Sequence, residues 1–173
     1  KNKDIFSYNI KGKIKNTGLN LIGYENLKKI NFNFDIKDKK YIFHNIIFEH
    51  QNINYQSNKV SIVEEGKDYH IKGNLNSQKG LTNLKSLSKL FKIDFDILLD
   101  GKEVLIETEN SFAFKLKSDR SIKDFEFKSN LKFDKIFINK KYQDLIYLKD
   151  GVVKTEYINK NLLVDVESSF SFF

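Results

Sequence analysis

A two-residue alternation of apolar and polar side chains runs through this chain almost without pause, and it restricts the fold more than any other feature. Ile30, Phe32, Phe34 and Ile36 alternate with Lys29, Asn31, Asn33 and Asp35. The same beat returns at Ile93, Phe95, Ile97 and Leu99, at Phe112, Phe114 and Leu116, and at Phe125 and Phe127. Successive side chains of a strand point to opposite faces, so this period predicts sheet with one apolar face and one polar face. The expected class is all-β: a long curved antiparallel sheet, folded into a taco-like groove or an elongated barrel or sandwich with an apolar interior.

The 173 residues suit a single β-rich domain spanning 1–173, and a chain of that length buries about 70% of its unfolded surface when compact. Turn signals are Gly and Asn/Asp/Lys clusters rather than proline, of which there is none. They fall at Asn16-Thr17-Gly18, 37–40, 64–68, Asp100-Gly101-Lys102, 118–120, 139–141, Asp150-Gly151 and 159–161. Between them the pattern predicts strands over 4–14, 19–24, 28–36, 41–49, 52–56, 59–64, 68–75, 92–99, 102–108, 111–117, 122–128, 130–138, 144–149, 152–158 and 161–172. Asp100-Gly101 between two apolar runs is the clearest hairpin signal. Isolated glycines inside strand patterns, Gly23 and Gly73, read as bulges or bends. One segment departs from the beat: Leu81, Leu84, Leu87, Leu90 and Phe91 recur at three- and four-residue intervals, predicting a short amphipathic helix near 81–91 that caps one end of the sheet.

Motifs that carry reactions are missing. With no cysteine there is no disulfide, no thiolate metal site and no cysteine nucleophile. His44, His50 and His70 are not spaced to share one face of an element beside a carboxylate, which argues against a metal centre. Asp94 and Asp96, like Glu107 and Glu109, share a strand face, but alternation with apolar neighbours turns them to the solvated side. No nucleophile elbow, phosphate-binding glycine loop or dinucleotide fingerprint occurs, so the chain reads as a non-enzyme without a cofactor. The net charge of +7 rests on 30 basic residues of which only Arg120 is arginine, interspersed with acids along most strands. That is the pattern of a solvated, edge-protecting lysine face rather than of a nucleic-acid reader. No apolar stretch reaches the ~18 residues of a membrane-spanning helix. The opening at Lys1 without Met suggests a piece of a longer protein, with any membrane anchor outside it.

Several phrases resemble a known family. Val60-Ser61-Ile62 followed by Tyr69-His70-Ile71-Lys72-Gly73-Asn74-Leu75 resembles the strand phrase frequent in TamB and AsmA-like proteins of the bacterial cell envelope. Leu148-Lys149-Asp150-Gly151-Val152-Val153 resembles another, and Leu162 to Phe172 resembles their alternating strands. The resemblance implies a periplasmic segment of an inner-membrane-anchored protein with an apolar β-groove. It further implies phospholipid acyl chains as ligand, a role in phospholipid transport and outer-membrane biogenesis, and an outer-membrane barrel partner of the Omp85 type. The groove lining would be Ile30, Phe32, Phe34, Ile93, Phe95, Ile97, Phe112, Phe114, Phe125, Phe127, Leu131 and Phe133. Plain core filling is the alternative for each of them. Two other readings share the same β pattern: a structural or adhesive β-sandwich module of the cell surface, and a jelly roll of the lipopolysaccharide-transport kind.

Overall fold

The computed structural model describes residues 8–20, 26–83, 103–138 and 146–172. They form nine strands: β1 (Asn9–Leu19), β2 (Leu27–Lys37), β3 (Lys40–His50), β4 (Ile53–Glu65), β5 (Asp68–Asn83), β6 (Glu103–Leu116), β7 (Ile122–Phe137), β8 (Ile146–Ile158) and β9 (Asn161–Phe172). Each pairs antiparallel with its sequence neighbour, in the order β1 to β9. The class is all-β, as the period-two pattern requires. The described strands make one open sheet rather than a barrel or sandwich, with β1 and β9 as its free edges.

The strands are longer and fewer than the turn signals suggest. The runs 52–56 and 59–64 are a single β4, and 102–108 and 111–117 belong to a single β6; β7 and β8 likewise absorb two runs each. Two expected turns lie inside strands. Asn16, with φ of 47°, sits in β1 where its register with β2 shifts, and Asp150, with φ of 50°, sits in β8 beside a shift against β9. Asn and Asp tolerate the left-handed conformation, and a bulge uses that tolerance as readily as a turn does. Lys29, Asn45 and Asp124 hold similar positive φ at shifts in β2, β3 and β7. Four turn signals serve as predicted: Asp38, Gly66, Arg120 and Asn159 adopt positive φ between consecutive strands.

The helix expected over 81–91 is corrected at its start. Leu81, Thr82 and Asn83 are the end of β5, paired with Leu105, Val104 and Glu103. Cross-strand pairing therefore outweighs the three- and four-residue leucine spacing there. Residues 84–91 lie outside the described residues, as do the strand expected over 92–99, the hairpin at Asp100-Gly101 and the turn at 139–141.

Candidate functional site

The largest feature of the sheet is its apolar face. Residues directly opposite one another on paired strands project to the same side, so the register identifies which side chains lie together. One row of partners crosses all nine strands: Gly12, Phe34, Phe43, Val60, Gly73, Phe112, Phe127, Tyr157 and Leu162. Beside it runs a second row, Ile10, Ile36, Tyr41, Ile62, Ile71 and Phe114. The rings meet at aromatic contact distances, with centroids 5.7 Å apart for Phe32 and Phe43, 6.2 Å for Phe112 and Phe114, 6.4 Å for Phe114 and Phe125, and 5.7 Å for Phe125 and Tyr157. The rings are half-buried or exposed, and no second layer of described residues covers them.

Glycines give these rings their seats. A side-chain carbon at Gly12 would run into the Phe34 ring, and one at Gly151 into the Phe133 ring. At Gly73 it would stand 2.9 Å from Val60 Cγ2 and 3.0 Å from Phe112 Cζ. Gly73 is therefore a seat for a cross-strand aromatic ring, and its pairing with Val60 also bounds a register shift between β4 and β5, in keeping with the irregularity its isolation suggests.

Further along the same face the character changes. Val104, Ile106 and Phe133 form a cluster in which Phe133 is 3% exposed, with Leu131, Ile136, Leu148 and Val153 packed around it. Between this cluster and the aromatic rows lies a hydrogen-bonded polar band. The Thr108 amide donates to Ser77 Oγ at 2.9 Å, Ser129 Oγ donates to Asn110 Oδ1 at 2.7 Å, and Asn110 Nδ2 donates to the Leu75 carbonyl at 2.7 Å. These partners satisfy polar groups that sit amid apolar neighbours.

Of the expected lining residues, Ile30, Phe32, Phe34, Phe112, Phe114, Phe125, Phe127, Leu131 and Phe133 share this face. Ile93, Phe95 and Ile97 lie outside the described residues. Sequence reading missed Phe43, Val60, Ile62, Ile71, Val153 and Tyr157, although each sits at an alternating position; it also missed the glycine seats, which only the register reveals.

The opposite face is polar and ion-paired. Asp68 lies 2.8 Å from Lys117 Nζ and 3.8 Å from Lys115 Nζ, and the hydrogen bond from Lys117 holds its carboxyl below the usual range. Lys29 donates to Glu49 at 2.6 Å and depresses that carboxyl in the same way. Tyr55, by contrast, belongs to the apolar face, in register with Phe48 and Ser77, where burial pushes its phenol up beside the Phe48 ring stacked at 5.2 Å. Glu107 and Glu109 alternate along β6 with Ile106 and Thr108, which puts them on this polar face. His44 and His50 lie on β3 and His70 on β5, where its Nε2 stands 3.1 Å from Glu65. Among the described residues no three His, Cys, Asp or Glu side chains gather to hold a metal ion, and no helix is long and apolar enough to cross a membrane. No protein-family model, curated protein or solved structure matches the chain.

Proposed function

We propose that this chain is a segment of a lipid-conducting β-sheet protein of the cell envelope, whose apolar face holds phospholipid acyl chains passively. The observation that carries the reading is the row from Gly12 to Leu162, an apolar path across nine strands with no layer of described residues over it. Removing acyl chains from water contributes about 0.8 kcal/mol per buried CH₂, so such a face needs no reactive group to bind them. Lysines on the polar face and along the β1 edge remain in solvent, where anionic headgroups would meet them. The periplasm, an inner-membrane-anchored parent and an outer-membrane barrel partner of the Omp85 type belong to the same proposal, and they rest on the sequence phrases alone. The structural or adhesive module is the second reading, favoured by the dry Val104, Ile106 and Phe133 cluster.

Mass spectrometry of organic extracts separates the two. The purified chain is expected to carry phospholipid, and a Phe34→Asp/Phe112→Asp variant that keeps its strand circular dichroism is expected to lose it. A wild-type chain that carries no lipid and takes none from phospholipid vesicles would overturn the lipid reading in favour of the structural one.

A further inference from the structure

The two free edges of the sheet are chemically opposite. β1 carries Lys11, Lys13 and Lys15 on the polar side of the strand, and of these Lys11 is ion-paired, to Asp35 at 3.3 Å. β9 carries Asp165 and Glu167 and has no basic residue, in a chain with 30 of them. Edge strands are ordinarily blunted by lysine, proline or a bulge. β9 has no such defence: no residue of it holds a positive φ, and the extra residue at its register shift belongs to β8. Its apolar side chains stand out in solvent, Leu162 and Phe170 each 64% exposed. β1 is irregular beyond Ile14, but Asn9–Ile14 pairs without interruption and offers a regular edge of its own.

Direction and facing also agree. Eight antiparallel pairings separate β1 from β9, so the two edges run the same way. Ile10, Gly12 and Ile14 share the apolar face with Leu162, Val164 and Val166, which register with Tyr157, Thr155 and Val153.

We propose that β9 of one copy of this chain takes up β1 of a second copy in a parallel, head-to-tail edge pairing. The two-residue spacing then sets Lys13 beside Asp165 on the polar face, with Lys15 just past the regular stretch and near Glu167, and Gly12 and Ile14 beside Val164 and Val166 on the apolar one. Each added copy exposes a fresh edge of each kind, so association passes beyond a dimer, and the apolar face continues from copy to copy. A two-fold contact of β9 on β9 would place one acidic, lysine-free edge against another, which the charges disfavour. The inference rests on the edges and stands whether or not lipid binds.

Sedimentation velocity over a range of concentrations tests it. The wild-type chain is expected to grow past dimer mass as concentration rises, and to dissociate in high salt. Lys13→Glu/Lys15→Glu and Asp165→Lys/Glu167→Lys are each expected to weaken association about tenfold, since two attractive pairs become repulsive. An equimolar mixture of the two variants is expected to restore it, because every edge then meets its opposite. Strand circular dichroism of each variant checks that the sheet persists. A wild-type chain that stays monomeric, or association that ends at a dimer and ignores the Lys13→Glu/Lys15→Glu change, would overturn the proposal; the second result assigns the contact to β9 on β9.

Discussion

The apolar face holds two regions built from the same residue types and finished differently. Around Phe133 the side chains meet one another: Val104, Ile106, Leu131 and Val153 close over the ring, and Gly151 leaves it a fitted seat. Around Phe112 and Phe127 the rings meet stacked or tilted but no described residue covers them, and Phe125 remains 41% exposed. One region has already gained its burial on folding, and the other still offers apolar area to an occupant. The polar band of Ser77, Thr108, Asn110 and Ser129 marks the boundary. Equal hydrophobicity in sequence therefore does not mean equal contribution to stability.

Truncating each region's central ring breaks or sharpens that contrast most strongly. Phe133→Ala is expected to cost about 3 kcal/mol in urea denaturation, and Phe127→Ala about 1 kcal/mol or less, because only the first opens a cavity in a filled cluster. Equal losses would mean that the aromatic rows are themselves a core. The glycine seats provide the next test. Gly151→Ala is expected to destabilise by about 1–2 kcal/mol, since Phe133 has nowhere to move, whereas Gly12→Ala should cost less because the half-buried Phe34 ring can swing aside. A larger loss at Gly12 would reverse the ranking of the two regions.

The smallest effect is expected on the polar face. Asp68 has a depressed carboxyl pKa, so its contribution is fully present above the unfolded value near 3.8 and is lost as pH falls through the lower folded value. Asp68→Asn should flatten the acid limb of stability against pH below that point and leave the neutral region little changed. An unchanged acid limb would show that the contact with Lys117 is screened away in solution.

The face itself was legible in the sequence, because a period of two survives any error in strand boundaries. Ile30, Phe32, Phe34, Phe112, Phe114 and Phe127 fall together for that reason alone. Strand number was not legible. Asn16 and Asp150 adopt the backbone conformation their residue types favour in turns, yet use it to kink a strand that continues on the far side. The distinction between a filled cluster and open rings was also hidden. It depends on which glycine faces which phenylalanine across the register, and Gly12 with Phe34 or Gly151 with Phe133 are pairs that no local pattern links. At Leu81 the leucine spacing suggested a helix, and partners more than twenty residues away decided otherwise.

The strictly sequential strand order has a consequence for how such a chain can change over generations. Among the described strands every pairing joins neighbours in sequence, so none of them must thread between two others. Inserting or deleting a whole hairpin would leave every other register intact and change the width by about 10 Å, two strand spacings. Width is therefore the dimension that a sheet of this order can change with least disturbance to the rest.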